Sequence, residues 1–453
     1  MHALAAAPPM RVPAPLRRAL HLLPLLAVIA LLATPPLGGD GSATAADAAC
    51  GVLVVWTLVR VLREGVRPLT RTAALVMGLP VVGICVAAMG AAGPGTAVAG
   101  LGRYLQIFVL VPIAVLLLLR DRDDFRLAAA AVVALALFEG GVGVVQYLTS
   151  TGASYMNEDI RAVGTFGASD IMGMATVVSC GLLCSVGLAL DPSPSSRLRS
   201  SRGDPNPGAS RKRRRAALAC AGLLLFPLAV SFSRGAWIAT AVAATALLLL
   251  SGLRRALAVL AVIAAATVVL VGASGSGTQL LQDRLASITQ VESAPDQSVT
   301  DRYTMWAAAE LMWRHAPLTG VGLKGFPDHR DANSSLALSS GSDTAGAGAA
   351  FKRQPLLSPH NMYLLVLSEQ GLLGAVTLVG GWAALLVAGV RRLRHTRRQG
   401  TPLDCALVAN GLLIWLLVDF FYGDIGGPST AVTALVLGLA AWWALAAQRA
   451  ARP

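Results

Sequence analysis

Ser358-Pro359-His360-Asn361-Met362-Tyr363-Leu364-Leu365-Val366-Leu367-Ser368-Glu369-Gln370-Gly371 is the stretch on which the reading of this chain turns. It closes the one long polar segment and opens an apolar run. Pro359 has no backbone N–H and a preset φ, which suits the first helical position, and Ser358 before it suits the N-cap. His360 and Asn361 then fall in the first turn, where unpaired N–H groups and the positive end of the helix dipole favour an anion. The stretch predicts a membrane helix over 361–390 with a titratable base at its mouth.

The surrounding composition agrees with a membrane. The chain has 453 residues, 55% hydrophobic and 13% charged, with a mean hydropathy of +0.64; soluble domains carry about 25% charged residues. Apolar runs of about 17–25 residues recur, so the expected class is an all-α integral membrane protein. About twelve spans are predicted, at roughly 19–35, 46–62, 72–91, 103–119, 126–149, 168–190, 216–232, 236–251, 254–274, 361–390, 402–421 and 429–447. Three regions follow: 1–274, a membrane region of about nine spans; 275–358, one long extracytoplasmic loop with short helices; and 359–453, about three further spans.

The net charge of +13 does not point to nucleic acid. Most Lys and Arg sit in short clusters between apolar runs, as the positive-inside rule expects. Arg17-Arg18, Arg120 with Arg122, Arg211-Lys212-Arg213-Arg214-Arg215 and Arg391-Arg392 all fall on one side when the spans alternate. This places both termini in the cytoplasm and the loop 275–358 outside a cytoplasmic (inner) membrane. Arg17-Arg18, the following apolar run and Ala43-Thr44-Ala45 also resemble a cleavable signal peptide. Cleavage would leave the remaining topology unchanged. The Pro-, Ser-, Gly- and Arg-rich segment 191–215 reads as a disordered linker against anionic headgroups. The outer loop predicts amphipathic helices at 278–290 and 300–315, the second with Trp306 and Trp313 suited to the headgroup zone. Its Ala-, Ser- and Gly-rich part, 332–350, reads as mobile. The six cysteines lie in or beside apolar runs with no CxxC, so neither a disulfide framework nor a metal site is expected.

Three outward residues can carry chemistry together. Arg234 sits at a tight tip beside Trp237, Arg302 opens the second loop helix, and His360 opens the membrane helix. Each has a plain alternative: an arginine snorkelling to headgroups, a partner for Asp301, and a polar cap. As a set they offer two guanidiniums that pair bidentately with phosphate oxygens. They also offer an imidazole with a pKa of about 6.5 that can take a proton from a hydroxyl. Diphosphate leaves well once its developing charge is stabilised. No HxxH, HExxH, Walker or Rossmann pattern is present, so no metal or cofactor is expected. Glu369 is nine positions after His360, on the opposite face and about 13 Å deeper in a continuous helix, and reads as a structural polar contact. Gly371 and Gly374 suit close packing against a neighbouring helix. A multi-span transporter without such chemistry is the alternative class. Its usual signs, paired halves and midplane ionisable residues, are weak here.

At this point the chain resembles the O-antigen ligase and polymerase family of polytopic membrane glycosyltransferases. The resemblance rests on Phe232-Ser233-Arg234-Gly235-Ala236-Trp237, Pro317-Leu318-Thr319-Gly320-Val321-Gly322-Leu323-Lys324-Gly325-Phe326 and Pro359-His360-Asn361-Met362-Tyr363-Leu364. Glu369-Gln370-Gly371-Leu372-Leu373-Gly374 and Arg161-Ala162-Val163-Gly164-Thr165-Phe166-Gly167 complete it. After the last, the family often continues with Pro-Asn, where this chain has Ala168-Ser169-Asp170. The resemblance implies a GT-C-like fold and, without metal, glycan transfer from an undecaprenyl-diphosphate-linked donor to a glycan or glycolipid acceptor. It implies Arg234, Arg302 and His360 as catalytic, and Arg161, Asn361, Tyr363 and Lys324 as substrate-binding. Lipopolysaccharide ligation and exopolysaccharide polymerisation both remain open.

Overall fold

The computed structural model describes residues 14–35, 44–65, 69–155, 161–190, 207–253, 297–334, 342–346, 352–354 and 357–446. The predicted span 254–274 and the predicted helix 278–290 lie outside the described residues. Helices dominate the rest, in the order α1 Ala14–Leu31, α2 Ala45–Glu64, α3 Arg71–Met89, α4 Pro94–Leu105, α5 Val111–Leu118, α6 Arg122–Thr149, α7 Gly173–Ala189, α8 Pro207–Val230 and α9 Arg234–Ser251. After these come α10 Gln297–His315, α11 Phe326–Asn333, α12 Met362–Gly374, α13 Gly380–Arg398, α14 Asp404–Asp419 and α15 Thr430–Leu445.

Among the described residues, 6 helices are long and apolar enough to cross a membrane: Ala45–Glu64, Arg71–Met89, Pro94–Leu118, Arg122–Thr149, Arg234–Ser251 and Met362–Arg398. Each coincides with one of the twelve predicted spans. The predicted spans 19–35, 168–190 and 429–447 contain the shorter apolar helices Leu20–Leu31, Gly173–Ala189 and Thr430–Leu445, and 216–232 and 402–421 fall on α8 and α14. The peripheral α2 and α3 leave Val52, Val55, Trp56, Leu62, Leu75 and Val82 exposed, while α14 and α15 are buried along most of their length. Apolar side chains facing outward on peripheral helices are what lipid contact requires.

The helix ends collect at two opposed poles. At one, Arg122 and Arg126 hold Asp404 (2.7 and 2.5 Å), the Arg392 guanidinium donates to the carbonyls of Trp443 and Ala446, and the His21 ring meets the Leu118 carbonyl. At the other, the Ala162 N–H donates to Val230, the Met362 N–H to Phe420, and the Ser429 N–H to the Asp170 carboxylate. The six cysteines are free thiols.

Three sequence expectations change. Helix α8 starts at Pro207, so the linker predicted over 191–215 gives way to helix for its last residues, and Arg211 to Arg215 stand exposed on it. The segment 332–350, read as mobile, contains the strand β2 Ser342–Gly346, which pairs antiparallel with β1 Ala153–Tyr155 and β3 Lys352–Gln354. This small sheet departs from the all-α expectation, and ties the 150–161 connection to the long loop. Its strands lie far apart in sequence, so local composition carries no sign of the pairing.

The third change concerns the deciding stretch itself. Tyr363 and Trp382 are nineteen positions apart, which in a straight helix means about 28 Å, yet their ring centroids stand 6.2 Å apart. The predicted single span therefore folds back. The break is Gly371, at φ 63° and ψ −161°, a conformation open in practice only to glycine. Two intrahelical bonds, from 372 to 368 and from 373 to 369, are lost there. Four bonds from 317–325 replace them. The N–H groups of Val321 and Gly322 donate to the carbonyls of Ser368 and Glu369 (2.9 and 3.0 Å), and those of Leu372 and Leu373 donate to Pro317 and Leu318 (2.9 and 3.1 Å). The freed backbone is thus fully repaired. Of the two glycines expected at a helix–helix contact, Gly374 does approach Gly83 of α3, but Gly371 lies against the backbone of Leu318.

Candidate functional site

The site is built where the 362–370 arm meets the α14–α15 turn. The Met362 N–H is shared between the carbonyls of Phe420 and Gly423 (2.8 and 3.0 Å), which fixes His360 beside that turn. His360 takes φ 47°, left-handed backbone that an L-residue holds only when its surroundings impose it. Phe232 (φ 48°) and Lys324 (φ 57°) do the same in the other two motif stretches. The helix begins three residues later than the Ser358–Pro359 start implied. Asn361, not Ser358, is its N-cap, accepting from the Leu364 N–H at 3.1 Å.

Asp424 faces His360, with Oδ2 3.9 Å from Nδ1. The carboxylate also accepts from the Ser358 hydroxyl and its side chain is 5% exposed, whereas the His360 side chain is 45% exposed. One side of the ring is open and the other is held against protein. That packing lowers the His360 pKa below the ordinary value; Asp424 opposes the shift, and the nearby Arg302 charge reinforces it. The ring is therefore neutral and proton-accepting at neutral pH.

Helix α10 brings Arg302 to this point. Its buried stripe, Asp301, Met305, Ala308, Ala309 and Met312, packs against the α12 arm. Trp306 was expected in the headgroup zone. Its indole N–H donates to the Pro359 carbonyl at 2.9 Å, the residue before His360. The far end of α10 runs into the 317–325 clip, so α10 is attached to the arm at both ends.

Arg234 opens α9. Ser233 caps that helix by accepting from Ala236 (3.2 Å), and Trp237 closes the tip by donating to the Leu228 carbonyl (2.8 Å). A Cβ on Gly235 would stand 3.1 Å from the Tyr422 side chain. The positive end of α9, with Arg234 on it, thus adjoins the turn that bears Asp424. Arg161 pairs its backbone with Ala153, and the next residue bonds Val230, at the end of α8.

The remaining candidates are placed differently. The Asn361 side chain is spent on the cap and on the Phe421 carbonyl (3.3 Å). The Tyr363 hydroxyl donates to Leu417 (2.6 Å) while its ring packs with Trp382, Phe420 and Phe421. Lys324 lies in the clip, at the opposite end of the arm from His360. Glu369 is also there, accepting from the Tyr104 hydroxyl and the Phe326 N–H, both at 3.2 Å. It serves the clip, at the far end of the arm from His360.

Asp424 is the residue that sequence reasoning passed over. Its signal was the polar turn Gly423-Asp424-Ile425-Gly426-Gly427 between two apolar runs, on the same side as Arg234 and His360 when the spans alternate. Asp170 holds this turn: its carboxylate accepts from the Ser429 N–H at 2.8 Å, and burial pushes its pKa up. Among the described residues no group of three or more His, Cys, Asp or Glu is arranged to hold a metal ion.

The helices and this pole define a multi-pass membrane protein with two arginines, a histidine and a carboxylate gathered at one end. Residues 219–379 match the family model described as O-antigen ligase. That segment contains Arg234, Arg302, Lys324 and His360 and stops short of Asp424. No curated protein matches the chain.

Proposed function

We propose that the protein is a twelve-span, GT-C-like glycosyltransferase that moves a glycan from an undecaprenyl-diphosphate-linked donor to an acceptor sugar hydroxyl on the outer face of the cytoplasmic membrane. Both termini are cytoplasmic in this reading. The observation that carries it is the convergence of Arg302, His360 and Asp424, with the Arg234 helix terminus alongside, at the pole opposite the basic clusters.

In the reaction, His360 accepts the proton of the acceptor hydroxyl through the ring nitrogen not facing Asp424. The hydroxyl oxygen attacks the anomeric carbon, and the bond from that carbon to the diphosphate oxygen breaks. Asp424 holds the ring and favours the imidazolium as it forms, the role a carboxylate plays behind a general base. Arg302 and Arg234 take up the charge growing on the leaving diphosphate, so the step needs no metal ion. Arg161 contributes to binding diphosphate or glycan.

Purified protein in liposomes, given lipid-linked glycan from its own strain, tests the proposal. Transfer that persists with a chelator and disappears in His360→Ala supports it; transfer retained in His360→Ala refutes it. Glycan analysis of a deletion strain separates the two forms of the reaction. Loss of long polymer means polymerase, and accumulation of full-length lipid-linked polymer means ligase.

A further inference from the structure

We infer that Tyr303 and Trp306 form a sugar-binding corner beside His360 that receives a pyranose ring of the glycan. This inference rests on the proposed reaction and adds a subsite to it.

The two residues share a face of α10 with Arg302. At about 100° per residue, Trp306 lies about 40° and Tyr303 about 100° round the helix from Arg302, away from the stripe buried on the arm. The rings stand 5.5 Å apart at 89°, one as a floor and the other as a wall. Tyr303 is 56% exposed. The corner cannot move away from the chemistry, because the Trp306 indole N–H is bonded to the Pro359 carbonyl, one residue from His360. That bond also uses the only polar atom by which the indole would engage a lipid headgroup.

A pyranose has the complementary shape. Its axial C–H groups make one apolar face that stacks on an aromatic ring, while its equatorial hydroxyls project sideways to polar groups. Arg302 precedes Tyr303 in the chain and is near enough to His360 for its charge to act there, so a cation lies close by to meet them. A sugar ring stacked here lies on the same turn of α10 as Arg302 and beside the Pro359–His360 segment that the indole binds, which is what positioning the reacting hydroxyl or the anomeric carbon requires.

The test measures binding apart from turnover. In a His360→Ala background, the affinity of detergent-solubilised protein for two probes is compared: a soluble oligosaccharide cut from the strain's own polysaccharide, and the lipid-linked glycan. Tyr303→Leu is expected to weaken one of them about five- to tenfold, the size of one lost stacking contact, with Tyr303→Phe close to the parent and melting unchanged in both. Weakening confined to the soluble oligosaccharide assigns the corner to the acceptor; weakening confined to the lipid-linked glycan assigns it to the donor. Unchanged affinity for both probes overturns the inference and gives the corner to lipid. If transfer survives in the His360→Ala protein while Tyr303→Leu still weakens sugar binding, the catalytic reading fails and the corner stands.

Discussion

Alanine at Gly371 tests whether the arm is truly clamped. A Cβ there would stand 2.4 Å from the carbonyl carbon of Leu318 and 2.5 Å from its oxygen and from the Thr319 nitrogen. All three are backbone atoms, so no side chain can swing aside. The φ 63°, ψ −161° geometry costs about 1–3 kcal/mol for any residue with a Cβ. Overpacking adds about 1–3 kcal/mol. If the loop retreats instead, four hydrogen bonds at about 0.5–1.5 kcal/mol each are lost. Either route costs about 4 kcal/mol. Gly65 provides the control, since it has the same φ of 63° and nothing within 4 Å of its Cβ position. Alanine there costs about 1–2 kcal/mol, the left-handed term alone. The gap, at about 2 °C per kcal/mol, is about 4–6 °C in the temperature at which solubilised protein aggregates. Gly371→Ala should also lose transfer, because α10 and its Arg302 are released at one end. Equal melting of the two variants would refute the clamp.

Other outcomes follow from the site. His360→Ala should abolish transfer while the protein still inserts, and Arg234→Lys or Arg302→Lys should be severely impaired through loss of a bidentate contact, read on a glycan gel beside a membrane blot. Transfer should rise with pH through an apparent pKa below 6.5, where His360 becomes neutral. Asp424 raises that pKa, so Asp424→Asn should move the rising limb to lower pH as well as slowing turnover; a shift to higher pH would contradict the pairing. Tyr104→Phe removes a hydroxyl donor from the buried Glu369 and should cost about 1–2 kcal/mol, seen as a lower melting temperature.

The six spans that the described helices match were legible because apolar runs of membrane length need no knowledge of neighbours. The helix at 300–315 was legible for a similar reason: Tyr303, Trp306, Glu310 and Trp313 follow helical spacing, and α10 extends it only to Gln297. The approach of Arg302 to His360 could be anticipated only as far as side-of-membrane arguments reach. The reversal at Gly371 could not. A glycine in an apolar run reads equally as a packing contact, and what decides is the set of N–H groups and carbonyls offered by 317–325, some fifty residues earlier. Two motif stretches that look independent in the sequence are the two halves of one hydrogen-bonded clip. Asp424 was readable in principle, but a search for phosphate-binding cations passes over a carboxylate whose partner is the histidine.

The reversal at Gly371 also separates two lengths that a straight helix would join. Bilayers differ in thickness, and spanning helices answer by tilting or stretching. Residues 372–398 can make that adjustment alone. Met362, two residues after His360, hangs from the carbonyls of Phe420 and Gly423 on the far side of the fold-back, so the height of His360 follows the α14–α15 turn. The distance between base and turn is insulated from the lipid in which the chain happens to sit.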